Sequence, residues 1–260
     1  MRVPSATTLD TRPLVHRLAR LLARTLDLLY PPRCAGCGAE VAAGGRLCPD
    51  CWDGVRFLAG PLCRRCGLPL PAGDGDAVCA ACLADPPVTD RRLAAVAYGG
   101  TARRLILALK HGERTDLAPL LAGWMLRAGG ALLAACDLLV PVPLHRRRLV
   151  LRGFNQAVLL ARPLARAAGR PLLLDALVRR RPTPSQQGLS ARARRANVTA
   201  AAFAVPPRRR AALRGRAVLL VDDVCTTGAT LDACARVLRA AGAARVDALV
   251  LARTVTDSDR

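Results

Sequence analysis

One stretch of the sequence decides the fold: Val218-Leu-Leu-Val-Asp-Asp-Val-Cys-Thr-Thr-Gly-Ala-Thr230. Its apolar first part, residues 217–221, predicts a buried parallel strand that carries Asp222 and Asp223 to its carboxyl end. Ligands of open α/β sheets bind at this end of the strands. The small hydroxylated residues that follow predict a tight loop that opens a helix over residues 229–241.

The loop after the two aspartates has the properties of a phosphate site. The backbone N–H groups of residues 227–230, the threonine hydroxyls and the positive end of the helix form a nest for one phosphate. Asp222 and Asp223 lie about one ribose away and suit vicinal hydroxyls. No Gly-Lys pair of a Walker loop is present. The alternative, a charge pair at a helix start, would leave two acids at the end of a buried strand, which is costly without partners.

The remaining C-terminal sequence alternates between strand and helix patterns. Thr101 is expected to cap a helix that runs to Lys110. The strand described above is expected to begin at Ala217. The other expected strands cover residues 96–98, 138–141 and 246–252, and the other expected helices cover residues 117–128 and 155–168. This alternation predicts an α/β domain with a parallel sheet flanked by helices.

Eight of the eleven cysteines fall within a short N-terminal region. They form four Cys-x-x-Cys pairs: Cys34/Cys37, Cys48/Cys51, Cys63/Cys66 and Cys79/Cys82. Two intervening residues let two sulfurs bind one metal ion, and two such pairs complete a tetrahedron. Gly38 and Gly67 follow the first and third pairs, and the pattern repeats after 29 residues. We therefore predict two tandem zinc ribbons, each with a structural zinc ion because no ligand position is left for water.

Three alternatives compete with this arrangement. A disulfide scaffold needs an oxidising compartment, and no export signal is expected here. Redox chemistry expects one Cys-x-x-Cys at a helix start rather than four in loops. Interleaved ligation, in which the first pair joins the third and the second joins the fourth, stays open because spacing does not assign partners. Cys136, Cys225 and Cys234 are expected to fill the core.

The sequence divides into three parts. Residues 1–30 are expected to hold an amphipathic helix with leucines at positions 14, 18, 21, 22, 26 and 29, packed on the protein rather than lying on a membrane. Residues 31–88 form the double zinc ribbon, and residues 89–260 the α/β domain, with Asp85-Pro86-Pro87 at the boundary. Arginines interrupt any apolar signal-peptide core, and no stretch is long enough for stable membrane insertion, so a cytoplasmic protein is expected.

The positive charge is unevenly distributed. The formal net charge is +21, and Lys110 is the single lysine. A coding bias towards arginine explains the residue type but not its clustering, since residues 140–216 hold 18 arginines and one acid, Asp175. This net charge of +17 predicts a polyanionic partner such as pyrophosphate, a nucleotide or nucleic acid.

The aspartate stretch resembles the phosphoribosyl-pyrophosphate (PRPP) signature of the type I phosphoribosyltransferases. The chain resembles more closely the ComF family, which joins a double zinc ribbon to such a domain. The matching motifs are Pro31-Pro32-x-Cys34-x-x-Cys37, Tyr98, Lys110, Pro141-Val-Pro-Leu144, Arg152-Gly-Phe-Asn-Gln156, Thr183-Pro-Ser-Gln186, Leu189, Arg194 and Asn197. The expected fold is thus a type I phosphoribosyltransferase-like sheet with a small N-terminal double zinc ribbon.

The resemblance implies roles for individual residues. Asp222 and Asp223 would hold the ribose hydroxyls and Mg²⁺, and Arg146 would join them in catalysis. The 5-phosphate would lie on Thr226, Thr227, Gly228, Ala229 and Thr230. The pyrophosphate would lie on Pro143, Leu144, His145 and Arg146. Further family positions without a derived role are Lys110, Arg152, Gly153, Phe154, Asn155, Gln156, Gln186, Arg194 and Asn197.

Two functions follow from the resemblance. The first is Mg²⁺-dependent transfer of phosphoribose from PRPP to an unknown acceptor, by displacement of pyrophosphate. The second is a non-catalytic role in natural transformation, in which the chain handles single-stranded DNA with competence proteins and the PRPP fold serves as scaffold or sensor. Aromatic residues are only 3% of the chain, few for a stacking platform. An amidotransferase function fits poorly, because the chain begins Met1-Arg2-Val3 and lacks the N-terminal cysteine of a glutaminase.

Overall fold

A computed structural model describes residues 30–43, 46–73, 76–111, 114–180 and 200–255. The predicted helix over residues 1–30 lies outside them but for Tyr30, and so do Gln186, Arg194 and Asn197. The helices are α1 (Pro49–Asp53), α2 (Ala80–Ala84), α3 (Gly100–Lys110), α4 (Ala118–Ala135), α5 (Arg146–Arg152), α6 (Gln156–Ala168), α7 (Pro207–Leu213) and α8 (Ala229–Ala240). The strands are β1 (Arg92–Ala97), β2 (Leu138–Pro141), β3 (Val178–Arg179), β4 (Phe203–Ala204), β5 (Ala217–Cys225) and β6 (Arg245–Arg253).

The domain is built on a parallel sheet, as the alternating pattern predicted. Four strands pair in the order β1-β6-β5-β2, and all three pairings are parallel. The central strand β5 is bonded on both sides, and Leu219 lies opposite Leu139 of β2 and Asp247 of β6. Its apolar run is therefore buried on both faces of the sheet.

Two hydrophobic layers cover the two faces of this sheet. Helices α3, α4 and α6 pack on one face, where Leu219 and Val221 point. Helix α8 packs on the other face with Val218 and Leu220, because successive residues of a strand point to opposite sides. Cys234 is fully buried there, in the core position predicted for it.

Helix α4 is long and apolar. Residues 115–135 are long and apolar enough to cross a membrane by length and composition, and half of that segment is buried within the protein. The helix packs against α6, β1 and β6. These contacts are those of a core helix in a globular domain.

A connector between the two cysteine-rich repeats covers the free edge of the sheet. Phe57 pairs with Val96 of β1 in an antiparallel bridge, and Leu58 and Ala97 add backbone hydrogen bonds on either side. The Phe57 ring also lies 5.4 Å from the Trp124 ring of α4. The connector thus satisfies backbone groups that an exposed edge strand would leave open.

The structure corrects several boundaries expected from the sequence. Thr101 does not cap α3, because it lies inside the helix, is 2% exposed and accepts a hydrogen bond from Arg104. Strand β5 continues to Cys225, since its pairing with β6 extends that far, so Asp222 and Asp223 lie within the strand. Helices α5 and α7 and the antiparallel pairing of β3 with β4 were not predicted.

Candidate functional site

The two aspartates of β5 are held beside a lysine. The Asp223 side chain is 6% exposed, and its Oδ2 lies 3.1 Å from Lys110 Nζ. Its Oδ1 accepts a hydrogen bond from the Val224 N–H at 2.7 Å. Asp222 Oδ1 accepts one from the Asp223 N–H at 2.9 Å. The strand end therefore carries two adjacent carboxyls and one counter-charge.

These surroundings change the protonation of the pair. Burial, followed by the neighbouring carboxylate of Asp223, raises the pKa of Asp222 from its usual 3.8 to about 8, and Lys110 opposes this rise. Two carboxyls this close do not ionise independently, because the second charge is repelled by the first. The first proton is therefore lost from the pair more easily than the second.

Helix α3 brings Lys110 to this site. The apolar face of α3, with Leu105, Ile106 and Leu109, is buried in the core, which fixes the direction of its last turn. A cation in the last turn of a helix is favourable because of the helix dipole. Sequence comparison alone singled out Lys110, and the structure supplies the contact that explains it.

The predicted phosphate loop follows β5 and opens α8. Gly228 has a left-handed φ of 81°, and a Cβ atom there would overlap Arg92 Nη1, so the position requires glycine. The Ala229 N–H lies 3.4 Å from Thr227 Oγ1, which accepts its hydrogen bond. The pocket within the loop is about 20 Å³ and is lined by Asp222, Val224, Cys225, Thr226, Gly228, Ala229, Thr230 and Leu231. It admits about one water molecule, so a phosphate would contact the loop from its open side.

The predicted pyrophosphate loop leads from β2 into α5. Pro143, Leu144 and His145 are half-buried there. His145 caps the helix, since its Nδ1 accepts a hydrogen bond from the Arg147 N–H at 3.3 Å. Arg146 is exposed, and within the described part of the chain no hydrogen bond or ion pair joins it to the aspartates. Its catalytic role stays a prediction.

The Arg-Gly-Phe-Asn-Gln motif forms the corner between α5 and α6. Gly153 ends α5 with a φ of 74°, and the Asn155 side chain caps α6 through the Ala157 N–H. Asn155 also donates to the Val142 carbonyl at 3.0 Å. Arg152 Nη1 donates a hydrogen bond to Gln156 Oε1 at 3.1 Å. In this structure the motif fixes the end of the pyrophosphate loop.

Arg179 is a neighbour of the site that the sequence did not indicate. It lies on β3, with its guanidinium 5.4 Å from the centre of the Phe203 ring. Burial lowers the pKa of Arg179, Arg148 lowers it further, and Asp222 acts in the opposite direction. Arg179 of β3 thus lies within electrostatic reach of Asp222, and Arg148 of α5 lies within electrostatic reach of Arg179. A two-residue strand has no sequence signature that could have revealed this.

The eight cysteines form two separate clusters. One contains Cys34, Cys37, Cys48 and Cys51, and the other contains Cys63, Cys66, Cys79 and Cys82. Within each, the ligand atoms lie within 4.8 Å of one another, which suits a tetrahedral zinc ion whose sulfurs are about 3.8 Å apart. The grouping is sequential, so the interleaved alternative is wrong.

Each cluster is shaped by its backbone. The Cys48 N–H donates to Cys34 Sγ at 3.2 Å, and the Cys79 N–H donates to Cys63 Sγ at 3.3 Å. Gly38 and Gly67 have positive φ angles of 80° and 70°, as expected for a chain that turns beneath a metal. Four thiolates in this arrangement fit structural zinc.

Comparisons with known proteins agree with both halves of the structure. Residues 25–83 match the family of the double zinc ribbon domain, and residues 155–258 match that of the phosphoribosyl transferase domain. DNA utilization protein YhgH of Escherichia coli K12 is 35% identical over 236 residues, covering 88% of this chain and 100% of that protein. Competence protein F of Haemophilus influenzae is 31% identical over 244 residues, covering 85% and 96%. The chain belongs to the ComF family.

Two further similarities are more distant. Competence protein ComFC of Bacillus subtilis is 26% identical over 218 residues, and the match covers 80% of this ComF chain and 85% of that protein. A purine phosphoribosyltransferase structure from Pyrococcus horikoshii is 18% identical with a TM-score of 0.31, covering 54% of this chain and 74% of that one. The assignment rests on the family matches and the parallel sheet. The protein is a phosphoribosyltransferase-like protein of the ComF type.

Zinc analysis tests the two clusters. We expect two zinc ions per chain in reduced, unchelated protein, and one ion in each of the variants Cys48→Ser and Cys79→Ser. Strong chelation should unfold residues 34–82, because ligation free energy is folding free energy in so small a domain. Elemental analysis and circular dichroism measure both effects. One zinc ion or none in the wild-type protein would contradict the assignment.

The raised pKa of Asp222 predicts a pH-dependent stability. Between about pH 4 and pH 8 the native state holds a proton that the unfolded chain has released, so this group's contribution to the free energy of unfolding falls as pH rises. Zinc ligation also depends on pH, so the informative quantity is the difference between wild type and Asp222→Asn. Urea unfolding across this range should show a steeper fall for the wild type. Parallel curves would show that Asp222 titrates normally.

Proposed function

We propose that this ComF protein binds PRPP with Mg²⁺ and transfers its phosphoribosyl group to an acceptor. The observation that carries the proposal is the aspartate pair of β5, half-buried Asp222 and buried Asp223, placed between Lys110 and the glycine-containing loop that opens α8. A ribose with a 5-phosphate matches this arrangement, since the carboxyls accept hydrogen bonds from vicinal hydroxyls and the loop offers N–H groups to the phosphate.

The aspartates fit a magnesium ion. Carboxylate oxygens are hard ligands of the kind that Mg²⁺ prefers. Asp223 Oδ2 is buried and, within the described residues, takes part in no hydrogen bond, although it is ion-paired with Lys110. Bound at Asp222 and Asp223, the ion would supply charge neutralisation for the pyrophosphate leaving group.

The side chains around the pair have separate tasks in the proposed reaction. The bond between the anomeric carbon and pyrophosphate breaks with its electron pair on the leaving group, and the acceptor forms the new bond to that carbon. Arg179, which is within electrostatic reach of Asp222, and Arg148, which is within reach of Arg179, would stabilise the charge that develops on the leaving group. Asp222 and Asp223 orient the ribose hydroxyls, and the loop of residues 226–230 fixes the 5-phosphate.

Ligand-induced stabilisation tests the binding step. PRPP with Mg²⁺ should raise the thermal midpoint of the wild type, because a ligand that binds only the native state stabilises it. The double variant Asp222→Asn, Asp223→Asn should remain folded and lose this shift. The matched control Asp50→Asn, Asp53→Asn removes two exposed carboxyls from α1 and should keep it. A double variant at positions 222 and 223 that still responds to PRPP would refute the assignment.

Turnover is measured separately. Pyrophosphate release from PRPP, with and without candidate nucleobases and amines, distinguishes an enzyme from a PRPP sensor.

We place the protein in the cytoplasm, where eight cysteines stay reduced and available to zinc.

A second function, binding of single-stranded DNA, is favoured by the arginine-rich surface. Helices α5 and α7 each carry three consecutive arginines, at positions 146–148 and 208–210. Relatives are named for DNA utilization and competence. We propose that DNA runs over these arginines and only partly overlaps the PRPP site.

Two matched triple variants separate the functions. Replacing Arg146, Arg147 and Arg148 by Ala should weaken both PRPP and DNA binding, whereas replacing Arg208, Arg209 and Arg210 should weaken DNA binding alone. Each lost phosphate contact should flatten the logarithmic salt dependence of DNA affinity by roughly 0.7. Labelled single-stranded DNA is titrated at several salt concentrations, with and without PRPP and Mg²⁺. Complete competition at every salt concentration would refute separate surfaces.

A further inference from the structure

The second zinc ribbon is built directly onto the start of β1. The Arg92 N–H donates to the Arg65 carbonyl at 2.9 Å, between the two cysteines of the third pair. A Cβ atom on Gly67 would lie 2.5 Å from the Arg92 carbonyl oxygen. The ribbon backbone and β1 are thus in contact at a position that tolerates no side chain.

The Arg92 side chain reaches from this contact to the phosphate loop. It is 5% exposed, donates to Thr89 Oγ1 at 2.6 Å and forms an ion pair with Asp232 in the first turn of α8. Its Nη1 occupies the space where a Cβ atom on Gly228 would lie. Asp232 also accepts a hydrogen bond from the Val88 N–H at 2.7 Å. The guanidinium therefore packs against the loop and holds the helix that the loop opens.

A second arginine makes a parallel connection. Arg253, at the end of β6, donates to the carbonyl of Cys66, and it is paired in the sheet with Cys225. The next residue, Thr254, donates its N–H to the Cys225 carbonyl at 3.1 Å. Cys66 is thus linked through one residue to the strand end from which the phosphate loop departs.

A cavity of about 220 Å³ lies between the ribbon and the loop. Cys66 and Cys82 line it on the ribbon side, and Thr227 and Ala229 line it on the loop side. Arg92 and Arg253 form part of its wall. Because a space remains beside them, the position of the loop depends on these two arginines more than on continuous packing.

The first ribbon contacts a different element. The Thr101 N–H of α3 donates to the Gly54 carbonyl at 3.1 Å, and Arg104 lies 3.7 Å from Cys51 Sγ. These contacts lie at the opposite end of α3 from Lys110. The two similar ribbons therefore provide a comparison within one chain.

We propose that the second zinc ribbon, acting through Arg92 and Arg253, holds the phosphate loop in its binding conformation. Phosphate affinity then depends on metal in the second cluster and not on metal in the first. Both arginines are positioning residues, since they act through the loop. The consequence for affinity rests on the proposed function, whereas the consequence for loop order does not.

The coupling has a thermodynamic basis. Zinc orders a small ribbon that is otherwise unfolded, so losing it frees the Arg65 and Cys66 carbonyls that orient the two arginines. A loop that must be ordered on binding lowers the observed affinity by the fraction of time it is ordered. Coupling between two sites is typically about 5- to 150-fold, and it is reciprocal, so phosphate ligands should also raise the equilibrium zinc affinity of the second cluster.

The test uses the full chain with matched variants. Cys79→Ser disrupts the second cluster and Cys48→Ser the first, at equivalent positions that begin α2 and α1. Hydrogen exchange of residues 226–231 should accelerate about tenfold or more in Cys79→Ser and stay unchanged in Cys48→Ser. Exchange in β6 (Arg245–Arg253) reports whether the sheet remains intact. Titration with PRPP and Mg²⁺ should show weaker binding, again about tenfold, in Cys79→Ser.

A third variant removes the Arg92 side chain and leaves the zinc ribbon intact. Arg92→Met should keep two zinc ions and an intact sheet, yet accelerate exchange in residues 226–231. The control Arg91→Met removes the neighbouring arginine, which pairs with Asp247 instead, and should leave the loop unchanged.

The outcomes are distinct. Equal loop exchange in the Cys48→Ser and Cys79→Ser variants, or an unchanged loop in Arg92→Met, overturns the proposed coupling. Failure of the wild-type protein to bind PRPP refutes the proposed function instead, and loop exchange still decides the coupling.

Discussion

The ion pair between Lys110 and Asp223 is the interaction on which the site depends. Two adjacent carboxyls at the end of a buried strand lose hydration, and a single cation cannot compensate for both. The pKa of Asp222 is accordingly raised, and the end of α3 lies at the end of β5, where Lys110 pairs with Asp223. The buried face of α3 serves this placement, because a helix fixed in the core cannot move its last turn away from the acids.

The ribbons follow from the same need for fixed geometry at the sheet edge. A segment of about 50 residues has too small a core to be rigid alone, and metal ligation supplies the missing folding free energy. The first ribbon contacts the beginning of α3, whose end carries Lys110. The second contacts Arg92, which touches the phosphate loop. The first ribbon thus lies at the start of the helix that ends in Lys110, and the second lies beside the loop that opens α8.

The sequence was sufficient to predict features set by local pattern. The apolar run before Asp222 predicted the central parallel strand, and Cys-x-x-Cys spacing predicted both clusters. Contacts between distant segments were not predictable, because no local pattern encodes them. Arg92 and Asp232 are separated by 140 residues, and each alone is an ordinary charged residue. Thr101 was expected to cap a helix from its type alone, but the ribbon packed at that turn buries it within the helix.

The charge arrangement also bears on ligand choice. Asp222 lies within electrostatic reach of Arg179, which in turn feels Arg148, so a bare polyanion is attracted by the arginines and repelled by the carboxyls. DNA can satisfy the arginines of α5 and α7 without approaching the pair. A ligand that reaches the pair must bring hydroxyl groups that donate to carboxylates, or a cation that neutralises them. A phosphorylated sugar carrying a divalent cation brings both. In the proposed function, the two acids rather than the many arginines would therefore distinguish a phosphorylated sugar from nucleic acid at this site.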